Sequence, residues 1–591
     1  MCLGSALVLM FAPPGAYADS PPERLDLSHQ RAAMLMGSAW RGQPGGHGWY
    51  FRDYGIDNLT AFEQVIARDG FNCFDFTLNR GNGEPELFAD RGRWDAFAQG
   101  LTRASHSGMT PVVELLVAGY ADTEAARRHP EWQVVQGGKP WSHMGPWLCV
   151  NSPFFGGTLL PRYRDFFANA GRHTAALILW ENQGPDCRCD FCQKEFAAQK
   201  EVRDYRRWAR QSRLRAWRAI RDTVRATGWK GTIIGGGYGS YEWEEKRWDQ
   251  TLTVRDELGY NFNELEAFTT GVFDLVMPEL YTHNTFPAGN YRREDIHYVY
   301  RSLLYERSVF GRQILPNVEL YWDGRSMTPD ELCRWLLESR SAGYDSYSVV
   351  SEGKLYTEHF HPTQDQYRSA YREMFRAFNS LAGFGTPEVR FQFVVSQDLE
   401  RALYRRSPKD WDWYVRETNH LFKTLDRRFG GGAIVNERVT ELPLDELRGV
   451  TDTSLSQFVI VPRGMPSPRT DAPRVKRLEV ELGQSLAPLA EELNGFLVSC
   501  ARPCVLEKSP LVYVNFNRTP SEQRFCSVIN HGTTPGTVRV RTAGAQWQCV
   551  LDSSHLSGRS VRLRQAKDTL ELDLDPGAAA ALSVKETFQR P

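Results

Sequence analysis

Cys187-Arg-Cys-Asp-Phe-Cys192 sets three thiols within six residues, and Cys149 stands thirty-eight residues upstream of Cys187. A fold that uses these thiols together must bring the Cys149 segment back onto the C-x-C-x-x-C loop. Four thiolates around one tetrahedral ion are the mark of structural zinc, which takes soft sulfur ligands and has no redox chemistry of its own. One or two disulfides, or unrelated core cysteines, are the competing reading. Cysteines as close as those of a C-x-C pair suit disulfide geometry poorly. A closed four-sulfur site leaves no open coordination position, so its expected role is to pin loops.

The chain has 591 residues, more than one ordinary core accommodates, and about three domains are expected. A formal net charge of −1 argues against nucleic acid or an anionic membrane surface as partner. Aromatic residues make up 12%, including 17 Trp, enough to supply stacking faces for sugars as well as core. Eleven cysteines in a chain of this length is not disulfide density. Leu3 to Phe11 is a short apolar run followed by Ala16-Tyr-Ala18. It is too short to span a bilayer and fits a signal peptide with an A-x-A cleavage site, although the positive n-region is missing. Residues 1–29 are therefore expected to be a signal peptide or a disordered tail, and the protein to be exported to the periplasm or beyond. Zinc thiolates sit uneasily in an oxidising compartment, which keeps a cytoplasmic location as the alternative. No later segment has the length of a membrane helix.

From residue 30 to 387 short apolar runs alternate with longer amphipathic segments. Strands are expected at Met34–Met36, Cys73–Phe76, Thr110–Leu116, Ala175–Leu179, Thr232–Gly235, Phe273–Met277, Ile314–Leu320 and Ser346–Val350. Helical patterns such as Tyr205–Arg225 and Pro329–Ser341 lie between them. Eight strands with intervening helices predict an α/β chain whose first unit is a (β/α)8 TIM barrel, with function at the strand ends. Polar and aromatic residues gather there: Glu114, Trp180-Glu181-Asn182, Tyr238 to Trp243, Glu279-Leu-Tyr281, Glu319-Leu-Tyr-Trp322 and Glu352. Strand ends of any barrel also carry polar residues for solubility. Buried strands at Arg390–Val395 and Gln457–Pro462, with a helix over Trp411–Phe429, predict a second α/β unit over 388–502. Alternating strands at Leu511–Phe516, Phe525–Ile529, Thr537–Arg541 and Thr569–Leu574, with Asn530-His-Gly and Asp575-Pro-Gly turns, predict a small antiparallel β domain over 503–591.

Together these features resemble glycoside hydrolase family 42, the β-galactosidases. Cys149-Val-Asn-Ser-Pro-Phe is similar to that family's first zinc cysteine and its C-x-x-S-P segment, and His129-Pro-Glu-Trp to its Y-P-E stretch. Ala342-Gly-Tyr-Asp is similar to the family's G-A-D segment, Glu358-His-Phe-His361 to its E-x-F-H sugar-binding motif, and Phe458–Pro462 to a strand of its trimerisation domain. The resemblance implies a barrel carrying structural Zn2+ on Cys149, Cys187, Cys189 and Cys192, a trimerisation-like middle domain, and a retaining, exo-acting hydrolase of terminal β-linked galactose or a close relative.

Such an enzyme needs a proton donor at the leaving oxygen and a carboxylate at the anomeric carbon, placed in this family after strands four and seven. Glu319 is the implied nucleophile. At strand four the family's D-N-E-Y-G is replaced by Trp180-Glu181-Asn182-Gln183-Gly184. Registered on the glycine, the acid position is Asn182, which delivers no proton; a one-residue slip makes Glu181 the general acid/base. Glu279, Glu242 or Asp186 are the alternatives for that role. The implied sugar contacts are Asn182, Glu279, Tyr281, Trp322, Glu358 and His361. A family arginine four residues before the first cysteine is Gly145 here, and Met327 stands where a family tryptophan would. These departures leave open an inverting or other-sugar glycosidase, or a carbohydrate-binding protein without turnover.

Overall fold

A computed structural model describes residues 24–36, 66–79, 94–116, 123–141, 146–180, 187–202, 205–238, 267–280, 298–322, 325–350, 367–395, 397–436, 456–465, 475–500, 505–554 and 558–584, apart from a few isolated positions within them. Eight strands form its first unit: β1 (Ala33–Met36), β2 (Cys73–Asn79), β3 (Thr110–Leu116), β4 (Ala176–Trp180), β5 (Thr232–Tyr238), β6 (Leu275–Glu279), β7 (Asn317–Glu319) and β8 (Tyr347–Val350). They close into a parallel barrel in chain order, β8 pairing back on β1. Side chains alternate across each strand. Ala33, Phe74, Val113, Leu177, Ile233, Val276, Val318 and Val349 join the large core shared with the outer helices. Their neighbours Met34, Cys73, Val112, Ile178, Ile234, Leu275 and Leu315 belong to a second cluster that fills the barrel. Burial on both faces is why these strands read as unbroken apolar runs.

Two strands depart from their expected bounds for local reasons. β5 runs on through Gly235-Gly-Gly237 to Tyr238, where a Cβ on Gly235 would meet the Phe273 ring at 2.4 Å. β7 is only three residues long, with Ile314 making a lone bridge to Val276, because Pro316 between them has no N–H for the ladder. The helix Pro329–Ser341 starts at a capping box made by Thr328 and Glu331. The last barrel helix, Arg368–Ser380, buries Tyr371, Met374, Phe375 and Phe378 at helical spacing. It is tied to the start of the barrel by Asp69, which is fully buried and takes Arg372 Nε and Arg376 Nη2 at 2.6 Å each. Asn379 Nδ2 donates to the Asp69 carbonyl at 2.9 Å, and Arg31 Nη1 donates to the Asn379 carbonyl at 2.8 Å.

Beyond the barrel, β9 (Phe391–Val395), β10 (Gly432–Asn436), β11 (Ser456–Pro462) and β12 (Val475–Val480) form a parallel sheet in the order β10-β9-β11-β12. The helix Pro408–Phe429 packs on it through Phe422, which meets the rings of Phe391 and Phe393 at 5.6 Å. The C-terminal part is a pair of antiparallel sheets. β13 (Val505–Lys508), β16 (Gly536–Arg541), β18 (Val561–Gln565) and β19 (Thr569–Leu574) make one. β14 (Val512–Arg518), β15 (Arg524–Asn530), β17 (Trp547–Asp552) and β20 (Ala579–Val584) make the other, together with the short strand Thr386–Pro387. Valines and leucines such as Val514, Val528, Val540 and Leu572 fill the space between them. This pair of sheets docks on the barrel at the helix Pro329–Ser341. There Asn517 Nδ2 donates to the Ser341 carbonyl at 2.9 Å and His531 Nε2 lies 2.9 Å from Glu338 Oε1.

Removing the buried carboxylate that joins the two ends of the barrel leaves two arginines, Arg372 and Arg376, without their shared partner. Asp69→Ala is expected to lower unfolding stability by about 2–4 kcal/mol, read from chemical denaturation midpoints.

Candidate active site and metal centre

Strand alternation turns polar residues into the barrel near the strand C-termini. Glu319 ends β7, two residues beyond Asn317, and is 2% exposed. Glu114 on β3 and Asp75 on β2 are fully buried on the inward-facing positions of their strands. Ser348 on β8 is buried as well; its Oγ donates to Asn317 Oδ1 at 2.7 Å. Apolar inward residues such as Met34, Ile178, Ile234 and Leu275 fill the rest of the interior, and barrel chemistry is placed at the C-terminal strand ends, where Glu319 sits. Carrying carboxyls out of water is costly, and three in one barrel interior contribute little to stability by themselves. Such placement suits groups that must act on a ligand.

Glu319 and Glu114 were legible as acids ending apolar runs. Asp75, Asn317 and Ser348 were not singled out. Asn317 and Glu319 at i and i+2 would have been the signal, since that spacing puts both on one strand face. Glu279 ends β6 with its backbone opposite Asn317, and Trp322 lies in the short strand Tyr321–Trp322, which pairs with Arg325–Ser326. The positions Glu181, Asn182, Tyr281, Glu358 and His361 lie outside the described residues, as do Gly145, Asp186, Glu242 and the leader at 1–23.

The four cysteines meet. Sγ atoms of Cys149, Cys187, Cys189 and Cys192 all lie within 4.8 Å of one another. A tetrahedral ion with metal–sulfur bonds of about 2.3 Å sets its sulfurs about 3.8 Å apart, so the cage fits one ion. The cysteines are free, and the Cys149–Cys192 pair at 3.3 Å is well beyond a covalent S–S bond, which sets aside the disulfide reading. The cluster can hold one metal ion.

Its surroundings are those of thiolates. Backbone N–H groups of Val135, Asn151 and Cys189 donate to Cys187, Cys149 and Cys187 sulfurs at 3.4, 3.4 and 3.5 Å. The Asn151 amide Nδ2 donates to Cys192 Sγ at 3.3 Å, and Ser212 Oγ fixes that amide by donating to its Oδ1 at 2.7 Å. Hydrogen bonding with Cys149 and the other two thiols pulls Cys189 well below the ordinary thiol range, while hydrogen bonding with Cys187 first pushes Cys149 up. Packed sulfurs cannot all ionise on their own; a divalent cation removes that conflict.

The cage staples three pieces of chain. Cys187 follows the end of β4 at Trp180 by seven residues, Cys189 caps the helix Asp190–Ala198, and Cys149 precedes the helical stretch at Phe155. A hairpin of Val135–Gln136 and Lys139–Pro140 is sewn to the same loop by the Arg188 N–H, which donates to the Val135 carbonyl at 2.8 Å. Tyr205, at the start of the helix Tyr205–Arg225, donates from its hydroxyl to the Cys187 carbonyl, and the Arg188 guanidinium lies 3.7 Å over its ring. Asn151 was not singled out in the sequence, where it falls inside the Cys149-Val-Asn-Ser-Pro segment.

No protein-family model matches the chain, and no curated protein does. Among solved structures it is similar to the β-galactosidase from Rahnella sp. R3, at 11% identity and a TM-score of 0.61, over 95% of this chain and 100% of that one. It is also similar to α-L-fucosidase isoenzyme 2 from Paenibacillus thiaminolyticus, at 10% identity and a TM-score of 0.55, over 94% and 100%. The GH42 exo-carrageenase from Bacteroides ovatus aligns at 10% identity and a TM-score of 0.54, over 96% of this chain and 85% of that one. At these identities the likeness is one of fold: a (β/α)8 barrel followed by further α/β and β units.

Proposed function

We propose that the chain is a retaining, exo-acting glycoside hydrolase that removes a terminal β-linked sugar, galactose or a close relative, from an oligo- or polysaccharide. The observation that carries this reading is Glu319, a buried carboxyl closing β7 on the inner face of the barrel, in an architecture shared with solved glycosidases. In the reaction, the Glu319 carboxylate attacks the anomeric carbon as the glycosidic C–O bond breaks. Glu181 gives its proton to the departing oxygen. Glu181 then takes a proton from water, whose oxygen displaces Glu319 and frees the sugar. The role of Glu181 rests on its place just after β4 and on its chemistry, since Asn182 has no proton to give.

The α-L-fucosidase and exo-carrageenase named above carry their activities on similar folds, so the sugar is the least constrained part of the reading. Glu358 and His361 are proposed as contacts to sugar hydroxyls, with Trp322 as a stacking face, and Asn182, Glu279 and Tyr281 as their neighbours. The ion on Cys149, Cys187, Cys189 and Cys192 is proposed to be zinc. Four sulfurs fill its coordination shell, so it shapes the loop after β4 and takes no part in bond breaking.

Hydrolysis of an aryl β-galactoside and related aryl glycosides tests the reading. Glu319→Gln is expected to lower kcat about a thousandfold or more. Glu181→Gln is expected to lower it about 10²–10⁴-fold on substrates with poor leaving groups, with external azide restoring turnover on activated ones. If neither substitution slows a measurable activity, the pair is wrong. Sugar binding without turnover on any aryl glycoside would make the chain a carbohydrate-binding protein.

Metal analysis checks the cage independently. One zinc per chain is expected by elemental analysis, lost in Cys192→Ser together with a lowered Tm. Asn151→Ala removes the amide that donates to Cys192 and is expected to weaken metal retention about 10–100-fold in competition with a chromophoric chelator.

A further inference from the structure

Just past Glu319 the chain enters the hairpin of Tyr321–Trp322 and Arg325–Ser326, in which Tyr321 pairs with Ser326 and Trp322 with Arg325. This ribbon is a sheet of its own, separate from the barrel. So short a two-stranded ribbon is marginal by itself in water and has to be held at its base. The residue at its base is Met327. The Met327 N–H donates to the Leu320 carbonyl at 2.9 Å, which closes the hairpin one residue beyond Glu319. The Met327 carbonyl accepts the hydroxyl of Tyr371, on the last barrel helix. Met327 is fully buried and offers no side-chain face to a ligand, so its contribution here is its backbone.

Tyr371 is fully buried as well, and a phenol has a single proton to donate. Burial above all, and then Tyr367 and Glu331, push its pKa above the ordinary phenol range, so the proton stays on the oxygen and the bond persists at any working pH. On the far side of Met327, the Thr328 N–H donates to Glu331 Oε2 at 2.8 Å within the capping box. The hairpin therefore leaves from a barrel strand, returns into a capped helix, and is tied across at its base to a different helix.

We propose that Tyr371 is a positioning residue for the sugar site: by holding Met327 it fixes the hairpin that follows Glu319 and carries Trp322. This rests on the reading of the chain as a glycosidase with Trp322 as a stacking face. Tyr371 acts through the backbone of Met327. A stacking platform supports bound substrate and transition state alike, so loosening it costs binding before it costs chemistry.

Hydrogen exchange read by mass spectrometry on the full-length chain tests the tie without turnover. Tyr371→Phe is expected to speed exchange of the amides in 320–327 about tenfold, with the barrel strands β1 to β6 keeping their protection. Tyr347→Phe is the control. It removes another hydroxyl bonded to the same helix, at Asn379 Oδ1 2.8 Å away, and is expected to leave exchange in the hairpin unaltered. With an aryl glycoside, Tyr371→Phe is expected to raise KM about three- to tenfold while kcat stays within about twofold. Trp322→Ala should raise KM too, and the double variant no further than the larger single effect. Unchanged exchange in 320–327, equal loosening in both Tyr→Phe variants, a fall in kcat with KM unmoved, or additive effects of Tyr371→Phe and Trp322→Ala would overturn the proposal. Local loosening in a chain that hydrolyses no glycoside would leave the tie standing and remove the hydrolase reading.

Discussion

Closure of eight parallel strands on themselves is the constraint on which everything else here depends. Once β8 pairs with β1, each strand has two buried faces and no edge, and alternation decides which residues share the interior. Apolar side chains such as Met34, Ile178 and Ile234 fill the lower part. Glu114, Asn317, Glu319 and Ser348 lie on the same inward parity, with Glu319 at the C-terminal end of β7. The same alternation that packs the core therefore delivers polar groups to the interior without any loop having to carry them. Asp69 secures the ring by joining the turn before β2 to the last helix.

The thiol cage works by a different physics. Its sulfurs sit against an apolar cluster that includes Trp147, Tyr205 and Trp208, with Trp141 and Phe196 packed on it. Four sulfurs converge because N–H groups from three separate backbone positions and one side-chain amide aim at them. Those donors stabilise negative charge on sulfur and so prepare the cage for a cation. The result holds Cys187, seven residues beyond the end of β4, against the Cys149 segment.

Much of the fold was legible because its periodicities are clean. The helices Tyr205–Arg225 and Pro329–Ser341 begin and end where their patterns and caps indicate. What escaped notice was set by tertiary context. Ala579-Ala-Ala-Leu-Ser-Val584 reads as a helix former, yet its alanines are fully buried inside a sheet, where small side chains allow close packing. β17 and β18 lie at sheet edges and carry exposed polar residues, which blurs the strand signal. In the site, the cysteines and Glu319 were visible from residue type and spacing. Asn151 was not, because its importance lies in where a single amide points, onto the Cys192 sulfur.

The short strand Thr386–Pro387 gives the chain an unusual order of assembly. It pairs with Asn517 and Arg518, on the far side of the whole β9–β12 unit. The barrel helices are all in place by Ser380, but the sheet opened at Thr386 waits for residues up to Val584 before it is complete. The middle unit is thus inserted between the first strand of a sheet and the rest of that sheet. On one side it follows Thr386–Pro387, in one C-terminal sheet, and on the other it precedes β13, in the second. During synthesis the barrel can fold and wait, while the last unit to emerge is the one that clasps the other two.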